Sequence, residues 1–407
     1  MIHVCFGLYD KTGRYSKFTG TTMRSIFANT TAAVTVHLLH DDTLTADNRE
    51  KFSALAAQYN QRVEFYNVEA LCAEGLAEIK RLVPRVEGTR YSIATFYRFL
   101  IPQLFTPDIE KIIYLDSDVV VNLDVEELWK IDLEDKPLAA APEAVINYLD
   151  HPFHAKTKFI MAKGFVAYED YFCAGVLLMN LNFLRGDEEN LKRGLKFLNE
   201  NPELDNFDQD VLNYLYAKES VKLPEKFHVF VGIERRAGKN FLREAIYHYA
   251  GWNCTLEMND AFNRLWMRHF MKTPWFDENS IGRLCAGFQQ IQDGLRGTMI
   301  KLTALMSGKT RGFVVSKGDV DAIKKLFAVR ADEEMLIVER ATSRQEIFER
   351  MNASRGKKFF FVFVQNFPFV NFEKLGFVYG RDFINGLDLL SGAQSLLVNS
   401  YLLLKEL

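Results

Sequence analysis

The sequence predicts an α/β protein in which a large first domain precedes a smaller α/β domain. Three observations support this class. Apolar strand-like runs alternate with helical spacing near the N-terminus, a strongly apolar stretch lies at residues 112–121, and the alternation starts again after residue 310. At 407 residues the chain exceeds one ordinary domain. We therefore expect a large first domain at 1–280, a helical linker at 281–309 and a small α/β accessory domain at 310–407.

The N-terminal part is predicted to alternate strands and helices. Ile2–Leu8 and Val34–Leu39 are apolar enough for buried strands, and Val63–Val68 is a third strand. Helices are predicted between them, through Thr19–Asn29 and over Thr43–Tyr59. This βαβ alternation is typical of a Rossmann-like half, in which ligands bind beyond the carboxyl ends of the strands.

The segment Lys111–Leu133 contains a pair of acids between apolar runs. Ile112–Leu115 leads into Asp116 and Asp118, and apolar residues resume at Val119. Along one buried strand, the two carboxylates would lie about 6.6 Å apart on the same face. Burial of both is unfavourable unless a cation meets them, and Mg²⁺ or Mn²⁺ prefers such oxygen ligands. The alternative is a sharp turn with two solvated aspartates.

Composition and sequence pattern give no support for a nucleic-acid-binding, disulfide-rich or membrane-spanning protein. A net charge of −3 gives no argument for nucleic acid as a partner. The five cysteines are odd in number, scattered and without a C-x-x-C pair, which fits a reducing compartment. No apolar run approaches 18 residues, and the N-terminus enters a predicted strand without a leader pattern. We therefore expect a cytoplasmic protein.

The neighbours of the acidic pair form a specific pattern. In order, they are Ser92, Thr95 and Arg98, then Lys111 and Tyr114–Asp118, then Leu128, Trp129, Asp132 and Leu133. With this order and spacing, the chain resembles glycosyltransferase family 8, whose members are retaining enzymes with the GT-A fold, a Rossmann-like mixed sheet flanked by helices. Further segments match the family's motifs: Tyr171–Arg185, Asn206–Asn213 and Ala245–Gly251. The resemblance covers roughly residues 1–275.

The resemblance implies a metal site and a sugar site. Asp116, Asp118 and His248 would hold Mn²⁺ (or Mg²⁺), and Asp208 and Gln209 would face the anomeric carbon. Further positions implied to bind the donor, a UDP-sugar, are Tyr9, Asp10, Tyr15, Arg98, Ser117, Glu143, Cys173, Ala174 and Gly251.

Several of these residues have alternative interpretations. Asp10 suits a helix cap, Tyr15 a core aromatic residue and Arg98 a surface salt bridge. Acids such as Asp208 at the start of a helix are explained by capping alone, and a lone histidine such as His248 is more often structural.

Two positions depart from the family's pattern. Cys173 stands where most members have an asparagine that hydrogen-bonds the donor sugar, and a thiol is a weak donor and acceptor. The phosphate-binding lysine that usually follows the last motif is missing. Lys239, Arg235 and Arg236 are candidates to replace its charge. These departures keep a second hypothesis open, a degenerate relative that binds nucleotide sugar without transferring it.

The acceptor side is less defined. The loop 147–164 is a candidate lid or acceptor surface. The helix over Ala261–Pro274 carries Arg264, Arg268 and Lys272, so it either packs on the catalytic domain or contacts an anionic membrane surface. The C-terminal strands Gly312–Ser316, Met335–Glu339 and Lys358–Val364 indicate an accessory module for docking, assembly or acceptor guidance.

The first hypothesis is therefore a metal-dependent retaining transferase. It would move glucose or galactose from a UDP-sugar to a surface glycan, a lipopolysaccharide or a protein, as a cytoplasmic enzyme with or without peripheral membrane contact. An oligomer is compatible with the sequence. A sugar nucleotidyltransferase is disfavoured because the first loop, Leu8–Gly13, lacks the Gly- and Arg-rich pattern of those enzymes.

Overall fold

The chain divides into two units, each with its own sheet. The computed structural model describes residues 1–13, 15–86, 92–144, 160–250, 260–277, 303–315, 320–338, 341–363 and 375–385, with the single residues 279, 282, 286, 317 and 372. One unit contains Met1–Asp277 and the other contains Glu278–Lys405. None of the helices in the described ranges combines the length and the apolar character that a bilayer crossing requires.

The first unit begins with the predicted alternation. Its elements are β1 (Ile2–Leu8), α1 (Ser16–Asn29), β2 (Val34–His40), α2 (Ala46–Gln58), β3 (Arg62–Asn67), α3 (Val68–Leu71) and α4 (Ala73–Leu82). The spacing of apolar residues and a capping side chain explain why α2 is a helix. On α2, Phe52 and Leu55 point inward while the Thr45 side chain accepts a hydrogen bond from the backbone N–H of Asn48 and caps the first turn.

The next segment departs from its prediction. A 3₁₀ turn over Ile93–Phe99 is followed by the short helix α5 (Ile101–Leu104). The sequence pattern over Tyr91–Phe105 favours a single helix, with Pro102 indicating an end near Leu100. Pro102 has no backbone N–H, so a continuous helix through it would lose a hydrogen bond. The 3₁₀ turn ends just before Leu100, near the predicted end, but Pro102 lies in the first turn of α5 and does not end the helical run.

The remaining elements of the first unit complete two sheets. They are β4 (Lys111–Leu115), β5 (Val119–Asn122), α6 (Glu126–Trp129), β6 (Leu138–Pro142), β7 (Phe172–Asn180), α7 (Leu181–Arg185), α8 (Glu188–Glu200), α9 (Asp208–Tyr216), β8 (Val221–Lys222), β9 (Val229–Phe230), α10 (Val231–Arg236), β10 (Ala245–His248) and α11 (Ala261–Phe270). A seven-stranded sheet has the order β3-β2-β1-β4-β7-β6-β8, and a smaller sheet has the order β5-β10-β9. Strand β7 runs antiparallel to β4 and β6, so the large sheet is mixed.

The acidic pair lies between the two sheets. The sequence predicted one buried strand through Asp116 and Asp118, but the chain leaves the large sheet after β4 and enters the small sheet at β5. Helix α1 provides a hydrogen-bond donor for the backbone carbonyl groups at this break, because the Thr22 hydroxyl lies 2.9 Å from the Ser117 carbonyl oxygen and 2.6 Å from that of Val119. The same break brings groups from both sheets to one point.

The second unit contains a separate parallel sheet. Its elements are β11 (Thr310–Val315), α12 (Val320–Phe327), β12 (Glu334–Ile337), α13 (Ala341–Ala353), β13 (Phe359–Phe363) and β14 (Phe383–Asn385). The strand order is β12-β11-β13-β14, and every neighbouring pair is parallel. Phe313, Phe361 and Val362 are buried in its core. Most of the predicted helical linker 281–309 lies outside the described residues.

Candidate active site

Backbone hydrogen bonds hold the segment Asp116–Asp118, here called the acidic turn, between two strands. The Asp116 N–H lies 2.9 Å from the carbonyl oxygen of Gly175 on β7. The Asp118 carbonyl oxygen accepts the N–H of Tyr249, just after β10, at 2.8 Å. Antiparallel pairing of β10 with β5 sets His248 opposite Val119, one residue beyond the acidic turn. Strand register therefore delivers an imidazole to the two carboxylates.

The side chains of Asp116, Asp118 and His248 converge as the sequence predicted. His248 Nε2 lies 3.1 Å from Asp118 Oδ1 and 3.9 Å from Asp116 Oδ2. One ligand atom from each residue lies within 4.8 Å of the others. A Cβ added at Gly175 would lie 2.7 Å from His248 Cε1 and 3.0 Å from Asp116 Oδ2, so only glycine leaves this space free. Two carboxylate oxygens and one imidazole nitrogen are a suitable donor set for Mn²⁺.

The two carboxylates also control the charge of the histidine. Burial alone would lower the pKa of His248, but Asp118 and then Asp116 outweigh it and raise the pKa above its ordinary value. The imidazole and the carboxylates therefore attract one another in the metal-free protein. A divalent cation would replace this attraction with direct coordination.

Arg98 joins the acidic turn to the start of helix α9. Its Nη2 lies 2.9 Å from Asp116 Oδ1 and its Nη1 lies 3.0 Å from Asp208 Oδ2. The same guanidinium donates to the Ala174 carbonyl oxygen at 2.7 Å, and the Thr95 hydroxyl donates to Asp208 at 2.8 Å. Arg98 is thus a buried bridge, and the surface salt bridge considered for it is wrong. Burial raises the pKa of Asp208, and Arg98 opposes that shift.

Gln209 connects β7 to Glu143 at the end of β6. Its Oε1 accepts the Ala174 N–H at 3.0 Å, and its Nε2 donates to Glu143 Oε2 at 3.1 Å. The Cys173 thiol is hydrogen-bonded to Glu143 in turn, and burial and then the Glu143 charge raise the pKa of the thiol. The structure therefore places Glu143, Cys173, Ala174 and Gln209 in one connected polar network.

The N-terminal residues take two different positions. The Asp10 carboxylate is buried and accepts the Ser16 N–H at 3.3 Å and Asn48 Nδ2 at 3.0 Å. It therefore caps helix α1, as the alternative interpretation proposed. Tyr15 instead reaches the acidic turn, where it hydrogen-bonds Ser117; burial and then the charge of Asp118 raise its pKa. Tyr9 follows β1 directly and is partly buried.

Some expected residues lie elsewhere. Gly251 falls outside the described residues. Two cations considered as substitutes for the missing lysine already have carboxylate partners: Arg235 lies 2.6 Å from Asp260, and Lys239 lies 2.8 Å from Glu234.

Sequence reasoning missed one residue, His228. Its Nε2 lies 2.7 Å from Nδ1 of His248, and the ring is buried. No local motif marks His228. It reaches His248 through the parallel pairing of β9 with β10, in which Phe230 is opposite His248.

Comparisons with known proteins find one matching family and several relatives. The family described as Glycosyl transferase family 8 matches residues 8–254. A putative glycosyltransferase of Haemophilus influenzae is 29% identical over 288 residues, which cover 64% of this chain and 81% of that protein. A lipopolysaccharide 1,3-galactosyltransferase of Salmonella typhimurium is 24% identical over 215 residues, covering 51% of this chain and 58% of that protein.

A solved structure supports the fold. The galactosyltransferase LgtC, in complex with donor and acceptor sugar analogs, has a TM-score of 0.53 and 20% identity, covering 69% of this chain and 99% of that one. This likeness confirms the GT-A fold predicted from the sequence.

Proposed function

The chain belongs to glycosyl transferase family 8, and we propose that it is a metal-dependent retaining transferase of glucose or galactose from a UDP-sugar. One observation carries the proposal. Two carboxylates of the acidic turn meet an imidazole that lies 130 residues further along the chain, with ligand atoms within 4.8 Å of one another. Structural needs alone do not explain two acids and a histidine gathered beside a glycine.

Asp116, Asp118 and His248 would hold the ion, which is Mn²⁺ or Mg²⁺ by the chemistry of its ligands. When bound, the ion would neutralise the charge that grows on the departing diphosphate. The chain contributes two features of its own. Gly175 leaves room for the imidazole, and Arg98 offsets the negative charge of the acidic turn before any donor binds.

We assign the nucleotide to the side of the acidic turn that faces helix α1. Tyr15 is in hydrogen-bond contact with Ser117, and Tyr9 lies where β1 ends. Asp10 would act there by ordering the loop that carries Tyr15, because its carboxylate accepts the backbone N–H of that residue at 2.5 Å. Gly251 remains a proposed donor contact on the grounds of its motif.

The sugar would lie against Asp208, Gln209, Glu143 and the β7 residues Cys173 and Ala174. Cleavage of the bond between the anomeric carbon and the diphosphate oxygen leaves an oxocarbenium-like sugar. The acceptor hydroxyl oxygen then forms a bond to that carbon on the same face, and the leaving phosphate accepts the hydroxyl proton. Asp208 would stabilise the positive sugar, and Gln209 would keep Ala174 and Glu143 in place around it.

The acceptor is proposed to be a surface glycan, a lipopolysaccharide or a protein. The Salmonella relative named above is a lipopolysaccharide galactosyltransferase, which supports the first two classes. Peripheral contact with the inner face of a membrane would depend on exposed residues of and after α11, namely Arg264, Arg268, Met271 and Lys272. Phe262, Trp266 and Phe270 are buried and would not insert into lipid. Sedimentation with anionic vesicles tests this contact, and no binding by the full chain contradicts it.

A second candidate is a relative that binds nucleotide sugar without transfer. The position taken by Cys173 favours it, because the thiol is hydrogen-bonded to Glu143 and is a weak partner for a sugar hydroxyl. Metal-dependent UDP binding with no turnover on any donor would support this candidate over the transferase.

The test is a panel of nucleotide sugars with Mn²⁺ and with a chelator. We expect UDP release from UDP-glucose or UDP-galactose with Mn²⁺ and none with the chelator, because the ion offsets charge on the leaving group. NMR of the product should show the donor's anomeric configuration. Release that is unaffected by the chelator, or a product of inverted configuration, contradicts the proposal.

A further inference from the structure

A second group of metal ligands lies behind His248, away from its contact with Asp118. Cys173 on β7, His228 just before β9 and His248 each offer one ligand atom, and these atoms lie within 4.8 Å of one another. All three residues are buried, with exposed fractions of 4%, 1% and 6%. A solvated surface cluster does not explain this arrangement.

His228 meets the site through His248. One of its ring nitrogens lies 2.7 Å from His248 Nδ1. The other, Nδ1, is buried and has no hydrogen-bond partner within the described part of the chain. A buried polar group without a partner is destabilising. Cys173 and His248 lie in one cluster with this imidazole, and together the three side chains offer a ligand set for a metal.

The chemistry of these donors differs from that of the acidic turn. One sulfur and two imidazole nitrogens favour Zn²⁺ or Co²⁺, whereas Mn²⁺ and Mg²⁺ prefer oxygen. Glu143, which is hydrogen-bonded to the Cys173 thiol, can receive the thiol proton when a metal binds. Two donor sets of different softness therefore lie on opposite nitrogens of one imidazole.

We propose that Cys173, His228 and His248 form a thiolate-containing site for Zn²⁺ that competes with the metal of the acidic turn. A neutral imidazole carries one proton. If zinc takes one nitrogen of His248, the proton stays on the other, and that nitrogen cannot bind a second ion. The zinc site itself does not depend on transferase activity, but the competition rests on the proposed function.

Co²⁺ tests the site without any activity measurement. The full chain, freed of metal, is titrated with Co²⁺ and followed for the near-ultraviolet thiolate-to-cobalt band and the visible bands of tetrahedral Co²⁺. We expect both in the unmodified chain and in Cys72→Ser, a control that alters another buried thiol. Cys173→Ser should lose the thiolate band, and His228→Asn should weaken cobalt binding by more than about tenfold. Circular dichroism establishes that each variant is folded.

Two results would overturn the site. One is the absence of a thiolate band in the folded, unmodified chain, and the other is an equal band in folded Cys173→Ser. The competition is tested separately by adding Zn²⁺ to Mn²⁺-supported UDP release, with each variant compared with its own uninhibited rate. The half-inhibitory zinc concentration should rise more than about tenfold in His228→Asn. An unchanged value contradicts competition, while a chain with no turnover but an intact cobalt spectrum refutes only the proposed function.

Discussion

Arg98 and Asp208 form a buried ion pair in which Nη1 lies 3.0 Å from Oδ2 and the side chains are 4% and 10% exposed. The other terminal nitrogen of the same guanidinium contacts Asp116. The carboxylate proposed to face the sugar and a carboxylate proposed to bind the metal therefore share one cation. Two terminal nitrogens of the planar fork each point at a different carboxylate, whereas an ammonium group is a compact point charge without this fixed geometry.

Replacement of Arg98 should affect stability and activity together. Arg98→Ala leaves Asp208 buried without its cation, and we expect a loss of about 3–5 kcal/mol in the free energy of unfolding. Arg98→Lys keeps the charge but loses the fork, so it should be less destabilised while UDP release still falls about 100-fold. Arg62→Ala, on the exposed edge strand, is the control. Wild-type turnover in Arg98→Lys would contradict the bridging role.

Asp116→Asn and Asp118→Asn test the metal assignment. Each replaces a charged oxygen ligand with a neutral amide, so we expect Mn²⁺ binding and UDP release to be lost. Electron paramagnetic resonance of free Mn²⁺ measures the binding directly. Asp135→Asn, an exposed acid, should behave as the unmodified chain. Full activity in either acidic-turn variant would refute the assignment.

Gly175→Ala tests the space around the imidazole. Its new methyl group would lie 2.7 Å from His248 Cε1, closer than atoms can approach, so the ring must shift. We expect Mn²⁺ affinity to fall by about 10–100-fold while the chain stays folded. Gly186→Ala is a matched control, because its added Cβ meets nothing closer than 3.5 Å. Equal Mn²⁺ affinity in the two variants would show that the close approach does not matter.

Gln209→Glu tests the network beside the sugar site. The change removes the donor that contacts Glu143 at 3.1 Å and sets two carboxyl groups side by side. Like charges at that distance disfavour double ionisation, so one side chain must take up a proton or move away. We expect kcat to fall by at least about tenfold, with a smaller change in Mn²⁺ affinity. The exposed Gln103→Glu controls for added charge.

Asp210 should make stability depend on pH. Burial raises its pKa to about 6, although the Tyr171 hydroxyl at 2.7 Å and the Asn206 N–H at 3.0 Å both donate to it. Between about pH 4 and about pH 6 the folded chain therefore binds more protons at this carboxyl than the unfolded chain. The free energy of unfolding should fall as pH rises through that window, by roughly 3 kcal/mol at most, and then level off.

Thermal unfolding of the unmodified chain and of Asp210→Asn, measured across this pH range, tests whether stability falls as pH rises. The variant cannot ionise at this position, so the stability of the unmodified chain relative to it should decline from about pH 4 to about pH 6. A difference that stays constant across that range would show that Asp210 does not titrate there.

Local sequence patterns were sufficient to predict the first three strands of the first unit. Apolar runs such as Ile2–Leu8 identified β1 with its observed bounds, because a strand buried on both faces needs uninterrupted apolar residues. The convergence of His248 with the acidic turn was also predicted, but by resemblance to a family. Spacing alone cannot bring together residues 130 positions apart.

Other features depended on tertiary contacts that no local pattern encodes. The apolar residues on either side of the acidic turn look like one strand. In the structure the chain changes sheets there, and the Thr22 hydroxyl of α1 contacts backbone carbonyl oxygens at the break. His228 meets His248 only because two short strands pair in parallel. Asp10 looked equally suited to a ligand and to a helix cap, and only the observed hydrogen bonds identify the cap.

The most direct test of the metal site is a crystal structure with Mn²⁺ and UDP, using anomalous scattering to locate the metal. We expect a peak roughly 2.0–2.3 Å from a carboxylate oxygen of Asp116, one of Asp118 and Nε2 of His248, with the diphosphate completing its coordination. A peak bound elsewhere, or no peak at saturating Mn²⁺ and UDP, would refute a metal site formed by these three residues.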